Sequence, residues 1–129
     1  MSEHTTDQQV SVRYLVDDVA AAVRFYTSHL GFTLGTDAAP AFAEVTRGRL
    51  RLLLSGPASS GARATPQDAA QPGRNRIHLV VEDLAAEIER LTGSGVRLRS
   101  ETVTGPGGQQ VLLADPAGNL VELFQPAGG

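Results

Sequence analysis

One order of landmarks occurs twice along this sequence, and such a repeat restricts the fold more than composition does. Each copy has an aspartate where a helix is expected to begin, a glycine where it ends and a glycine in a later hairpin. The paired landmarks are Asp18 and Asp83, Gly31 and Gly95, and Gly48 and Gly118. Glycines follow helices in many α+β chains, but three landmarks in the same order favour a tandem duplication.

Apolar periodicity predicts the same element order in both copies. In the first, alternation predicts a strand over residues 10–16, and apolar residues at helical spacing predict a helix behind Asp18. Three strands are expected to follow this helix, at residues 32–35, 41–46 and 49–54. The second copy repeats the pattern, with a strand at 76–81, a helix behind Asp83, and strands near 96–103, 110–114 and 120–124. The sequence therefore predicts two βαβββ modules.

The modules define the expected domain organisation. It comprises a disordered tail at 1–9, a first module at 10–54, a linker at 55–74 and a second module at 75–126. The tail is polar and has no apolar core, so it does not resemble a signal peptide. The linker is rich in Gly, Pro, Ala and Ser, a composition typical of loops.

Composition excludes several kinds of chemistry. All 11 basic residues are arginines, which rules out a Schiff-base or P-loop lysine, and there is no cysteine for thiolate catalysis or disulfides. A net charge of −3 does not favour a nucleic-acid partner. No apolar run is long enough for a membrane span, so we expect no membrane partner and a cytoplasmic location.

Two motifs carry a family resemblance. Residues 16–32 contain VDDV followed by RFYTSHLGF, and residues 113–123 read LADPAGNLVEL. In the second motif, Pro116 fixes φ in the turn and Gly118 permits a positive φ. With these motifs the chain resembles the vicinal-oxygen-chelate superfamily of glyoxalases, bleomycin resistance proteins and extradiol dioxygenases. The resemblance extends over nearly the whole chain past Gln9.

The resemblance implies a fold and an assembly. The expected fold class is α+β, with tandem βαβββ modules forming a curved eight-stranded mixed sheet, a cup whose helices lie on the convex side. Family members often dimerise, so a homodimer is expected. The concave side of the cup would carry the ligand chemistry.

The resemblance also implies four metal-ligand positions. Each module of a metal-using member offers a histidine about seven residues before the capping aspartate and a glutamate in the last strand. The corresponding residues here are Ser11, Leu52, Arg76 and Glu122. Because Glu122 alone matches a ligand and Arg76 would pair with its carboxylate, we predict no family-type metal. A divalent metal remains the alternative, since a two-residue shift of the first strand would offer His78 in the second module and Arg13 in the first.

Strand alternation predicts what the cup contains. Its expected residues are Ser11, Arg13, Leu15, Leu50, Leu52, Leu54, Arg76, His78, Val80, Leu120, Glu122 and Phe124. From this set, the predicted ligand-binding residues are Ser11, Arg13, Leu52, Arg76, His78, Glu122 and Phe124. An apolar pocket with a few polar groups is typical of small-molecule sites. A purely structural Arg76–Glu122 ion pair is the open alternative.

Three functions are consistent with this pattern. The first is binding of a small organic ligand in an apolar cup without the family metal. The second is an enzyme, either a metal-dependent lyase, isomerase or dioxygenase, or a metal-free catalyst with His78 and Glu122 as candidate acid and base. The third is a structural or partner-binding homodimer. The sequence does not decide whether the protein is an enzyme.

Overall fold

The computed structural model describes residues 10–67, 71–72 and 75–128. The chain divides into two compact units, Met1–Gln71 and Pro72–Gly129. The predicted disordered tail at 1–9 and parts of the predicted linker lie outside the described residues. Within the described ranges, no helix combines the length and apolar character needed to cross a bilayer.

The described residues of the first unit form four strands and two helices. In chain order they are β1 (Val10–Leu15), α1 (Val19–His29), β2 (Thr33–Ala38), β3 (Phe42–Arg47), β4 (Leu50–Ser55) and α2 (Ser60–Arg63). The sheet order is β1-β4-β3-β2, with β1 parallel to β4 and the remaining pairs antiparallel. The last strand of the module therefore lies inside the sheet, next to the first.

The helix α1 begins and ends at the predicted landmarks. The Asp18 carboxylate accepts a hydrogen bond from Ala21 N at 3.0 Å, which satisfies one of the free amides of the first turn. After His29 the chain turns at Gly31, whose φ of 73° is a left-handed conformation that favours glycine. The apolar side of α1 packs against β2, β3 and β4.

The second unit repeats this arrangement. Its elements are β5 (Arg76–Val80), α3 (Leu84–Gly93), β6 (Val103–Gly105), β7 (Gly108–Ala114) and β8 (Leu120–Pro126). The sheet order is β5-β8-β7-β6, again with the first and last strands parallel. Asp83 caps α3 by accepting from Ala86 N at 3.1 Å, and Gly95 follows the helix with a φ of 88°. The predicted α+β class and the duplicated element order are confirmed.

One predicted strand is wrong in extent. The stretch 96–103 forms an isolated bridge between Leu98 and Leu113, and regular pairing begins only at β6. Leu112 N donates to the Ser100 hydroxyl at 3.0 Å, so a side chain takes the place of a backbone carbonyl at this point. Alternating apolar residues do not reveal such a replacement.

Each sheet has a buried face toward its long helix and an opposite face, called here the distal face. Residues paired across neighbouring strands share a face, so the strand registers define it. The distal face of the first unit carries Ser11, Arg13, Leu15, Phe42, Glu44, Thr46, Arg51, Leu53 and Ser55. The distal face of the second unit carries Arg76, His78, Val80, Gln110, Leu112, Ala114, Leu120, Glu122 and Phe124.

The predicted assignment of β4 side chains to the faces of the sheet is wrong by one residue. Leu50, Leu52 and Leu54 lie on the helix-facing side, opposite Val10, Val12 and Tyr14 of β1. Leu52 and Leu54 are fully buried in the core of the first unit. Because side chains alternate between faces, a shift of one residue moves a whole set to the other side.

The hairpin between β7 and β8 is organised by Asp115, which is 4% exposed. Its Oδ1 accepts from Ala117 N at 2.9 Å and from Asn119 N at 2.8 Å. Gly118 has a φ of 93°, as the motif predicts for this position. The aspartate therefore satisfies backbone amides that the turn would otherwise leave unpaired.

Replacing Asp83 with alanine should lower the free energy of unfolding by about 1 kcal/mol, because Ala86 N loses its acceptor. The neighbouring Glu82→Ala is the matched control and should change stability by less than about 0.5 kcal/mol. Urea denaturation followed by circular dichroism measures both. Equal losses for the two variants would contradict the assigned cap.

Replacing Asp115 with alanine should lower the free energy of unfolding by about 3 kcal/mol, because one buried and one part-buried backbone amide lose a charged acceptor. The control is Asp37→Ala, since Asp37 makes a similar bond to Ala39 N at an exposed site. Its loss should be well below that of the buried aspartate. Thermal denaturation distinguishes the two, and comparable losses would argue against this account of the hairpin.

Candidate functional site

The candidate site centres on Glu122 in β8, a glutamate that is only 6% exposed. Its Oε1 accepts a hydrogen bond from Arg76 Nε at 2.9 Å. Its Oε2 lies 3.1 Å from Nδ1 of His78. Both carboxylate oxygens are thus held by side chains of β5.

The parallel pairing of β5 with β8 produces this arrangement. His78 lies directly opposite Glu122, and Arg76 lies opposite Leu120. Because Arg76 and His78 are two residues apart, their side chains emerge on the same face and flank the carboxylate. The structure therefore brings together Arg76, His78 and Glu122. The predicted alternation of side chains along these two strands implies the same grouping.

The three polar groups differ in their access to solvent. The Glu122 side chain is 8% exposed, whereas those of Arg76 and His78 are 41% and 48% exposed. A guanidinium has five N–H donors, so Arg76 keeps donors beyond the one given to Glu122. In a neutral His78 whose Nδ1 carries the proton toward the carboxylate, Nε2 is an acceptor. The site can thus offer both a cationic donor and a basic nitrogen.

Apolar and aromatic surface adjoins these polar groups. The ring centroids of His78 and Phe124 are 4.9 Å apart, with an angle of 38° between the rings. Val80, on the same strand face, is 56% exposed although it is a large apolar residue. Leu112 lies opposite Glu122 on the other side of β8. The distal face of the second unit therefore combines charge with uncovered apolar area.

The first unit carries a different polar set on its distal face. Arg13 Nη1 donates to the Ser55 hydroxyl at 2.7 Å. Arg51 Nε donates to the Ser11 hydroxyl at 2.9 Å, and Arg51 Nη1 lies 3.9 Å from Glu44 Oε2. Ser11 and Arg13 thus occupy the predicted face, but Leu52 does not.

The strand registers identify the true counterpart of Glu122 in the first unit. Arg13 and His78 each lie five residues before a capping aspartate. Arg13 is paired with Leu53, as His78 is with Glu122. Leu53, not Leu52, therefore occupies the glutamate position.

Sequence reasoning missed Ser55, Arg51 and Glu44 on this face. The sequence did contain a signal for which residues of β4 face the helix. With Leu50, Leu52 and Leu54 assigned to the cup, Arg51 would have had to point into the helix-facing core, where an unpaired charge is costly. Placing this one arginine on the distal face gives the observed assignment of the β4 leucines to the helix-facing side.

The residues present do not fit the metal that the family resemblance implies. Among the residues that the structure describes, no three His, Cys, Asp or Glu side chains are grouped so as to hold a metal ion. His78 and Glu122 would provide two ligands, fewer than the three protein ligands of a typical catalytic zinc site. The Arg76 guanidinium, bonded to Oε1, already places a cation beside the carboxylate.

Comparison with protein families gives one match over most of the chain. The profile of the Glyoxalase/Bleomycin resistance protein/Dioxygenase superfamily matches residues 6–123. No curated protein sequence matches significantly.

Solved structures show the same fold. A lactoylglutathione lyase from Agrobacterium tumefaciens is 23% identical, with a TM-score of 0.74 over 90% of this chain and 91% of its own. TnmS3, an antibiotic binding protein from Streptomyces, is 25% identical, with a TM-score of 0.74 over 93% and 96% of the two chains. A superfamily member from Sphaerobacter thermophilus is 23% identical, with a TM-score of 0.70 over 91% and 95%.

The matched profile, the duplicated βαβββ topology and these structural likenesses agree. The chain belongs to the Glyoxalase/Bleomycin resistance protein/Dioxygenase superfamily.

Proposed function

We propose that the protein binds a small organic ligand on the distal face of its second unit, without a bound divalent metal. Arg76, His78 and Glu122 are the proposed polar contacts. The observation that carries the proposal is the enclosed Glu122 carboxylate, held by two donors whose outer parts remain exposed. This arrangement fixes the orientation of the donors while leaving them accessible to a ligand.

The surroundings favour a ligand over a purely structural ion pair. A structural pair needs no uncovered apolar surface, yet Val80 is 56% exposed beside it. The tilted rings of His78 and Phe124 offer an aromatic surface on which a planar ligand can stack. A carbonyl, phenolate or carboxylate oxygen on that ligand would accept from Arg76. The proposed ligand is therefore a planar molecule with at least one hydrogen-bond acceptor.

The structural likenesses support binding without deciding the ligand. One similar structure is named as an antibiotic binding protein and another as a lactoylglutathione lyase. The poor fit of the donor set to a metal favours the binding role over metal-dependent lyase, isomerase or dioxygenase chemistry. One scaffold can host several functions, so the residues of the site carry the argument.

A thermal-shift screen with aromatic and glycopeptide antibiotics tests the binding role. A ligand at 100 times its dissociation constant should stabilise the protein by about 2.7 kcal/mol. Glu122→Gln should reduce this stabilisation, because the amide holds Arg76 and His78 less firmly. Glu87→Gln is the matched control, since Glu87 forms an exposed pair with Arg90 on α3. It should leave ligand binding unchanged.

Two results would contradict this proposal. The first is an equal response of the Glu122 and Glu87 variants to a ligand that stabilises the parent protein. The second is stoichiometric metal in protein purified without chelators or a histidine tag, with that metal lost on Glu122→Gln.

A second candidate function is metal-free proton transfer, which the contact between His78 Nδ1 and Glu122 Oε2 favours. With Nδ1–H directed to the carboxylate, Nε2 can accept a proton from a C–H next to a carbonyl group. Arg76 can donate to the enolate oxygen that forms. The proton on Nε2 then exchanges with solvent, and Nε2 delivers the solvent-derived proton to the same carbon. This completes an exchange reaction with no net chemical change.

Deuterium exchange tests this second function. Hydroxyacetone in D₂O, followed by proton NMR, should lose its C–H signal faster with the protein than without it. His78→Gln should lower the rate by roughly 10²- to 10⁴-fold, as expected for loss of a general base. His29→Gln, which changes a histidine of α1, is the control. Equal rates with and without protein would exclude proton transfer on this substrate.

A further inference from the structure

We propose a second binding site, for an oxyanion, on the distal face of the first unit. Arg13 is its central residue, and the proposed ligand group is a carboxylate or a phosphate carried by a small organic molecule. The residues named for this site all belong to the first unit.

The duplication supplies the first argument. Arg13 has the strand position that His78 has in the second unit, but its partner in β4 is Leu53, where His78 faces Glu122. Among the described residues, no carboxylate forms an ion pair with Arg13. The first unit thus has an arginine cation at this position, whose paired residue is apolar instead of a carboxylate.

The guanidinium is nevertheless held in place. Arg13 Nη1 donates to the hydroxyl of Ser55, which is fully buried at the end of β4. On its other side, Arg13 lies against Gly61 of α2, where an added Cβ would be 2.7 Å from Arg13 Cζ. Such contacts orient the side chain before a ligand arrives and lower the entropic cost of binding.

Its remaining donors can reach a ligand. Arg13 is an exposed residue, and the geometry of a guanidinium matches the two oxygens of a carboxylate or phosphate. Leu15, Leu53 and Phe42 share this face and are half-buried. Apolar neighbours strengthen the attraction between opposite charges and can pack against the organic part of the ligand.

Arg51 on the same face does not have these properties. Its Nε donates to the Ser11 hydroxyl, and Glu44 lies 3.9 Å from its Nη1. The nearby carboxylate lowers its attraction for a second anion. Arg13 is therefore the proposed anchor.

NMR titration of the full-length, ¹⁵N-labelled protein at constant ionic strength tests the site. The probes are benzoate and phenyl phosphate, with benzamide as the uncharged control. At least one anion should shift the Arg13 Nε–Hε signal and the Ser55 and Gly61 amides in a saturable way. The probe that binds more tightly assigns the group as carboxylate or phosphate. No saturable shift with either anion would overturn the proposal.

Variants show whether Arg13 carries the binding. Arg13→Gln should weaken the binding roughly 10- to 100-fold, as expected for loss of charge-assisted hydrogen bonds. Arg24→Gln, the same change at an exposed position of α1, should alter it less than about twofold. An undiminished affinity in Arg13→Gln would refute the site.

The Gly61→Ala variant distinguishes the effect of the orientation of the Arg13 side chain from the effect of its charge. Its added methyl group would overlap the guanidinium group of Arg13, which must shift from its position beside Ser55 while the net charge stays the same. Anion binding should weaken severalfold without loss of fold. Gly93→Ala, at the end of α3 where an added Cβ meets no atom within 4 Å, is the matched control. Equal affinities in both variants would contradict the role assigned to α2.

Discussion

The parallel pairing of the first and last strands in each unit decides which side chains can act together. In the second unit it places His78 opposite Glu122 with Arg76 one pleat away, so two donors converge on one carboxylate. In the first unit the same pairing places Arg13 opposite Leu53. In each unit the helix and the other strands hold the first and last strands in place. The register between those two strands determines the chemistry of each distal face.

The two units have therefore diverged in charge at equivalent positions. In the second, the carboxylate is enclosed and its charge is balanced by Arg76, so what remains exposed is a set of oriented donors beside aromatic surface. In the first, a buried hydroxyl orients a cation whose strand neighbour is apolar. Among the described residues, equivalent strand positions thus carry a compensated carboxylate in the second unit and, in the first, an arginine with no carboxylate in an ion pair.

Much of this fold could be predicted from the sequence because its landmarks have local causes. Asp18 and Asp83 cap helices through their own carboxylates, and Gly31 and Gly95 supply a positive φ that other residues avoid. Each effect depends on a few neighbouring residues. The faces of β5 and β8 followed correctly from alternation.

The assignment of β4 side chains to the two faces of the sheet could not be inferred from the second copy, because the hairpin glycines of the two copies are not equivalent. Gly48 lies in a two-residue turn between Arg47 and Leu50, whereas Gly118 lies in a five-residue loop between Ala114 and Leu120. A comparison anchored on these glycines is displaced by one residue from a comparison anchored on the capping aspartates. Ser100 is a similar case, since the capture of a backbone amide by its hydroxyl depends on a strand distant in sequence.

The position of the last strand in each sheet also bears on how the chain folds. Both β4 and β8 are made after the other strands of their sheets, yet each lies in the interior, between two earlier strands. The edge strands β1 and β5 have no partner within their own sheet until that final strand arrives. During synthesis, therefore, neither sheet can be completed until its last strand has been made. Contacts between residues far apart in sequence then form together, which favours slow but cooperative folding.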